Sequence, residues 1–339
     1  MDPSGRMRVL IGYDGTPGAE IALEHLYRGR AGLPETGDAR LLAVADLVTL
    51  VPDWAPLSEI SESDSPRNVA HAAALASEQA TAHARDIAER GARRLREAAP
   101  GWTIQTETAI GSAAEAILDR ANVWRPDLIV IGWRGQPALS RWLLGSVAQQ
   151  VLNEAPCSVR LVRGRVGKTG SAVSLVIGYD GSPGAEAAVY AMASRRWPIG
   201  SRAQVIAVTP GSGGSAWVPP STDLSAAFWK ELEAHHVRWM GRHARHACRV
   251  LQEAGLSSRV TMKQGDARRV LVEEAERWDA DCLVVGATGA RGLARLLMGS
   301  VAAGVAVGAA STVEVVRPSA YSPQAFRMAE VGVAGTRGA

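Results

Sequence analysis

The sequence predicts an α/β protein built from two copies of one domain, each a five-stranded parallel sheet with helices on both faces. Three observations carry that expectation. The first is an internal repeat: VLIGYDGTPGAE at 9–20 returns as LVIGYDGSPGAE at 175–186, an offset of 166. The second is another repeated block, IGWRGQPALSRWLLGSVA at 131–148 and VGATGARGLARLLMGSVA at 285–302, at an offset of 154. The third is the alternation, within each copy, of short β-branched runs with segments of helical periodicity, the pattern of βαβ units. A length of 339 residues, at ~150 per domain, agrees with two domains.

In the first copy the strands fall at about 8–13, 40–45, 103–109, 127–132 and 157–162. In the second they fall at about 174–179, 203–209, 258–263, 281–286 and 312–316. With helical segments between them, each half is expected to be a sheet covered by helices on both faces. Between the strands, 70–98 and 225–254 carry small and apolar residues at helical spacing with Arg and Glu opposite. The two offsets differ by twelve, so the first copy holds extra residues, most of them in the Pro-, Ser- and Asp-rich stretch between Asp46 and His71. Domain boundaries follow at 1–163 and 173–317. The Gly-containing stretch 164–172 reads as a flexible linker, and 318–339 as a disordered tail.

Composition excludes several classes. Hydrophobic residues make up 47% and charged residues 21%, ordinary globular values. No apolar run approaches the ~20 residues of a membrane span, and the N-terminus lacks a signal-peptide hydrophobic region, so the expected location is the cytoplasm, with no membrane partner. The net charge of +3 is dispersed, which gives no argument for a nucleic-acid partner. Cys157, Cys248 and Cys282 show neither disulfide nor zinc spacing.

An open parallel sheet binds ligands beyond the carboxyl ends of its strands, where neighbouring connections leave to opposite faces. Two loops per copy lie there. After strand one come Tyr13-Asp14-Gly15-Thr16-Pro17-Gly18 and Tyr179-Asp180-Gly181-Ser182-Pro183-Gly184. After strand four come Gly132-x-x-Gly135, nine residues, Gly145-Ser146, and Gly286-x-x-Gly289, nine residues, Gly299-Ser300. Both loops can line one crevice only if strands one and four are neighbours. The glycines admit positive φ and close backbone approach, and the Gly-Ser pairs open a helix whose unpaired N–H groups and dipole favour an anion. A triphosphate meets these requirements. Asp14 and Asp180 place a carboxylate near a nucleotide's hydroxyl or amino groups, and Val44 and Val208 end strand two where a base can pack.

With those residues in place the chain resembles a tandem universal stress protein of the nucleotide-binding branch. That branch is marked by Gly, two residues, Gly, nine residues, Gly, then Ser or Thr, and both copies match in full. The resemblance implies a Rossmann-like fold of the adenine nucleotide alpha hydrolase type, strand order 3-2-1-4-5, and ATP in the crevice. It also implies pairing of the two domains within the chain, with a further homodimer open. It assigns nucleotide contacts to Asp14, Val44, Ile131, Gly132, Gly135, Gly145, Ser146 and Val147 in one half. In the other it assigns them to Asp180, Val208, Val285, Gly286, Gly289, Gly299, Ser300 and Val301. The family often has a hydroxyl residue where this chain has Ala148 and Ala302, which removes a hydrogen bond worth about 1 kcal/mol.

Other residues leave alternatives open. Asp14 and Asp180 can equally close an Asx turn before the next helix. Asp127 and Asp281 precede strand four, at the opposite edge of the sheet, and read as structural. Arg141 and Arg295 recur inside the nine-residue spacer and can reach a phosphate or point to solvent. Trp54 and Trp217 sit in matching Pro-rich segments, as lids or as loop packing. His236, His243 and His246 share one helix, as a metal site or as surface and packing residues. Lys168 lies in GKT, but Val162 stands where a P-loop needs glycine. The expected function is an ATP-binding regulator of stress response or growth state with an unidentified protein partner, Mg²⁺ entering only through the nucleotide phosphates. No catalytic or metal-ligating residue is assigned. A slow ATPase and a nucleotide-independent scaffold are the alternatives; no general base recurs in the two copies, and no Ser-Gly-Gly-x-Asp-Ser loop follows strand one.

Overall fold

The computed structural model describes residues 6–28, 31–45, 66–133, 144–164, 166–209, 226–288 and 298–318. The first half runs β1 (Met7–Gly12), α1 (Pro17–Tyr27), β2 (Gly37–Ala45), α2 (Pro66–Ala98), β3 (Trp102–Ile110), α3 (Ala113–Trp124), β4 (Leu128–Gly132), α4 (Ser146–Glu154) and β5 (Ser158–Val162). The second runs β6 (Ser174–Tyr179), α5 (Pro183–Ala193), β7 (Arg202–Thr209), α6 (Ala226–Glu253), β8 (Ser257–Gln264), α7 (Ala267–Arg277), β9 (Cys282–Gly286), α8 (Ser300–Gly308) and β10 (Thr312–Val316).

Each half is a parallel sheet in the expected order 3-2-1-4-5, and the two join through an antiparallel pairing of β5 with β10 into one ten-stranded sheet. Sequence periodicity predicts the two half-sheets; the seam needs tertiary structure. β1, β4, β6 and β9 lie inside and are buried on both faces, which is why they read VLIG, LIVIG, LVIG and CLVVG. β8, at an outer edge, alternates instead between exposed and partly covered residues. β2 begins at Gly37, earlier than the sequence suggests. Glycine is depleted in strands, but here a Cβ would strike the Trp102 ring, so the ring on β3 selects it.

Among the described residues, side-chain caps start four of the eight helices. Thr16 and Ser182 accept from Ala19 and Ala185 N–H ahead of Pro17 and Pro183, and Ser112 and Asp266 cap α3 and α7. Asp127 and Asp281 accept from the backbone N–H of Arg8 and Ser174, both at 2.8 Å, tying the start of β4 and β9 to β1 and β6. They are structural, as their position predicts.

On one face of the sheet α3, α4, α7 and α8 cover a single apolar cluster that crosses the seam, from Leu10 and Ile129 through Val159, Leu161, Val313 and Val315 to Val176 and Leu283. On the other face the halves keep separate clusters. At the seam on that face stand Arg160, Glu314 and Arg195, all buried. Arg195 binds Glu314 in bidentate fashion at 2.8 and 2.5 Å, and Arg160 donates to the same carboxylate at 2.5 Å. Within the linker stretch, Gly170 N–H reaches the Arg28 carbonyl at 3.3 Å. Most of the tail, from 319 onward, lies outside the described residues.

Candidate functional site

β1 pairs directly with β4, Gly12 opposite Ile131, and β6 pairs with β9. The loops after strands one and four therefore leave the same edge side by side in each half, as the crevice argument requires. Gly15 and Gly181 both adopt φ +72°, the left-handed conformation that lets the chain turn from strand into helix. Asp14 Oδ1 accepts from Thr16 N–H at 3.0 Å and Thr16 Oγ1 at 2.6 Å; Asp180 Oδ1 accepts from Ser182 N–H at 3.0 Å. The Asx-turn role is thus realised in both halves, with both aspartates half-buried at the crevice edge. Tyr13 and Tyr179 precede them, their phenol pKa values raised by burial, and for Tyr13 also by its hydrogen bond to Glu20.

Gly132 and Gly286 serve a purpose the motif alone does not show. Neither has positive φ. A Cβ on Gly132 would land in the Gly18 backbone, and one on Gly286 in the Gly184 backbone; Gly18 and Gly184 are in turn pressed against the carbonyls of Trp133 and Thr288. Four glycines thus let the first turns of α1 and α5 lie against the ends of β4 and β9. Of the two reasons the sequence offers for these glycines, positive φ does not apply, and the close approach is made by the protein's own backbone at Gly18 and Gly184. Gly18 and Gly184 belong to the same arrangement. Their signal was the recurrence of GTPGAE and GSPGAE.

The strand-four loops return to the sheet at Gly145-Ser146 and Gly299-Ser300. Both serines open their helices and are exposed, while Val147 and Val301 are half-buried against the core. Here α4 and α8 differ from α1, α3, α5 and α7. Gly145 and Gly299 provide no side-chain cap, and neither first turn carries a carboxylate. Among the described residues no side chain caps the leading N–H groups, and no carboxylate in the first turn offsets the positive end of either helix dipole. Among the described residues nothing lies within 4 Å of a Cβ built on Gly145. Val44 and Val208 lie half-buried at the ends of β2 and β7, and Ile131 and Val285 are buried in β4 and β9. Ala148 and Ala302 point into the core. Gly135, Gly289, Arg141, Arg295, Trp54 and Trp217 lie outside the described residues.

The comparisons with known proteins agree with this fold. The family model described as the universal stress protein family matches residues 5–163 and again 174–317. The chain belongs to the universal stress protein family. A universal stress protein of Mycolicibacterium smegmatis is 31% identical over 223 residues, 64% of this chain and 70% of that one. One from Mycobacterium tuberculosis is 28% identical over 222 residues, with the same coverage. Among solved structures, a universal stress protein from Archaeoglobus fulgidus superposes with TM-score 0.60, covering 92% of this chain and 98% of that one. At 18% identity that likeness speaks to the fold.

The two halves of this universal stress protein are not identical at the crevice. Trp239 of α6 lies so close to Gly181 that a Cβ there would collide with its ring, whereas Gly15 has only ordinary contact with Ile87. Trp239 is flanked by His236 and His243, with ring centroids 6.0 and 4.4 Å away. Among the described residues no group of three His, Cys, Asp or Glu side chains is placed to hold a metal ion. The thiols of Cys157 and Cys282 are pushed up to about 12 by burial, far from thiolate nucleophiles. No helix among the described residues is long and apolar enough to cross a membrane.

Proposed function

We propose that each half of this universal stress protein binds ATP at the crevice between its strand-one and strand-four loops, and that occupancy tells the cell about stress or growth state through the arrangement of the two halves. The single observation that carries the reading is the pair of uncapped, carboxylate-free helix starts at Gly145-Ser146 and Gly299-Ser300. A phosphate chain supplies acceptors for those N–H groups. The residues present fit the nucleotide. Ser146 and Ser300 hydroxyls can donate to phosphate oxygens, Val44 and Val208 offer an apolar rest for the base, and Asp14 and Asp180 offer acceptors at its edge. Mg²⁺ enters with the phosphates and keeps its own waters. The buried Cβ of Ala148 and Ala302 leaves each site one hydroxyl short of the common family pattern.

The reading is a regulator in the cytoplasm rather than an enzyme: the crevice offers phosphate backbone N–H groups and serine hydroxyls, and no general base recurs in the two copies. The test is the nucleotide content of the protein as isolated, by mass spectrometry after denaturation, with calorimetric titration of ATP. Ser146→Glu with Ser300→Glu puts a carboxylate where phosphate would sit and should abolish binding with the fold retained. Wild-type protein that carries no adenine nucleotide and shows no heat of ATP binding at high micromolar concentration would refute the reading.

A further inference from the structure

The helices that start at the two phosphate sites end at the seam between the halves, and their last carbonyls are held by arginines from the opposite half. Arg163, the residue after β5, donates from Nη1 to the carbonyls of Ala309 at 2.6 Å and Val307 at 3.3 Å, at the C-terminus of α8. Arg317, the residue after β10, donates from Nη2 to the carbonyls of Leu152 at 2.8 Å and Asn153 at 3.0 Å, at the C-terminus of α4. The two arginines occupy equivalent places in the repeat and are only 6% and 8% exposed.

Neither α4 nor α8 has a basic residue in its own last turn, and α4 even ends on Glu154. A helix C-terminus leaves up to four carbonyls without partners and favours a cation. In this protein that cation comes across the seam. Burial lowers the pKa of both guanidinium groups, Arg163 to about 10, which leaves them charged at neutral pH.

The wiring is not symmetric. The Arg163 guanidinium lies 4.9 Å from the ring centroid of Trp133, which occupies the first variable place of the first half's Gly132-x-x-Gly135 loop. Nε and Nη2 of Arg163 have no hydrogen-bond partner, and the face of the indole takes that side of the cation. At the equivalent place in the second half stands Ala287, without a ring. Arg163 therefore touches the loop of the first site and the helix of the second.

We propose that Arg163 and Arg317 are positioning residues that couple the two nucleotide sites across the β5–β10 seam. Each holds the far end of the helix whose near end receives phosphate in the other half. The proposal rests on the ATP reading above. It makes each site complete only when the other half is docked, and any coupling in binding free energy is equal in both directions whatever the asymmetry of the contacts.

The test reads the sites one at a time in the full chain, with ATP titrated calorimetrically. Ser146→Glu leaves only the second site. In that background Arg163→Met should weaken ATP binding about three- to tenfold, Arg163→Lys should restore part of it, and Arg317→Met should change it less than about twofold. Ser300→Glu leaves only the first site, where Arg317→Met should be the damaging change. Arg317 is the cleaner arm, because Ala287 stands in its own half where the first half has Trp133. Without nucleotide, amide exchange should quicken in α8 for Arg163→Met and in α4 for Arg317→Met. Weakening confined to the arginine's own half, equal weakening of both sites, or none, in folded protein would overturn the proposal. An unmutated chain that binds no ATP fails the ATP reading instead, and the exchange measurement then decides separately whether the arginines position the helices.

Discussion

Arg160 of β5 and Glu314 of β10 face each other in register across the seam, with no exposure to solvent and with Nη2 and Oε2 2.5 Å apart. The repeat places them at equivalent positions of the two halves, so one position carries a cation in one copy and an anion in the other. Two identical copies could not do this. Arg195 binds the same carboxylate, so two guanidinium groups share one anion, and Arg160 also donates to His25 Nε2 at 3.4 Å, which fixes that nitrogen as an acceptor because a guanidinium can only donate.

Glu314→Gln should therefore be costly. It leaves two buried guanidinium groups without their counter-charge, and breaking a buried pair from one side costs about 3–5 kcal/mol. Urea unfolding of the variant and the parent gives the difference. A loss under about 1 kcal/mol would show that the cluster is solvated in solution.

The same carboxylate sets a pH dependence. Burial raises the Glu314 pKa, but Arg160 and Arg195 outweigh it and hold the group well below the usual range. A depressed carboxylate stabilises the fold above its unfolded pKa, about 4.3. That contribution fades as pH falls toward the folded value. Stability should stay level from neutral pH to about 5 and decline below, with a shallower decline in Glu314→Gln. Denaturant midpoints across this interval provide the check, and equal slopes would remove Glu314 as a cause.

The glycines should separate by role. Gly132→Ala forces a Cβ into the Gly18 backbone, which cannot yield like a side chain, and should cost about 1–3 kcal/mol. Gly145→Ala puts a Cβ where no described residue lies within 4 Å and should cost below about 1 kcal/mol, the price of a poorer helix start. Thermal unfolding ranks the two variants; a reversed order contradicts the packing described above.

Asp14 separates turn from ligand. Asp14→Ala removes the acceptor of two local hydrogen bonds and should lower stability by about 1 kcal/mol. Asp14→Asn keeps an acceptor oxygen and should retain most of that stability. If the variant also loses ATP affinity, the carboxylate charge acts on the ligand; unchanged affinity would confine Asp14 to the turn. Paired melting and titration data on both variants distinguish these outcomes.

Much of this molecule was legible in its sequence because the relevant signals are local. Buried parallel strands need apolar residues on both faces, so β4 and β9 announce themselves as LIVIG and CLVVG. Thr16-Pro17 and Ser182-Pro183 mark helix starts, and the repeated glycine spacing marks the crevice. The partner of Gly132 was not legible for a physical reason: a glycine that admits positive φ and one that admits a neighbouring backbone look alike until the neighbouring chain is in place. Trp239 against Gly181 was equally invisible, since it joins residues far apart in the chain.

The sequence by itself determined two copies of one α/β domain, its strand and helix pattern, and the Gly-Ser pairs that open a helix after strand four. The tertiary structure alone decided how the copies meet. Pairing β5 with β10 brings Arg160 to Glu314 and sends Arg163 and Arg317 to the far ends of the opposing α8 and α4. No periodicity encodes those partners. Their worth comes from exclusion of water at the seam, which exists only once both halves are folded and docked.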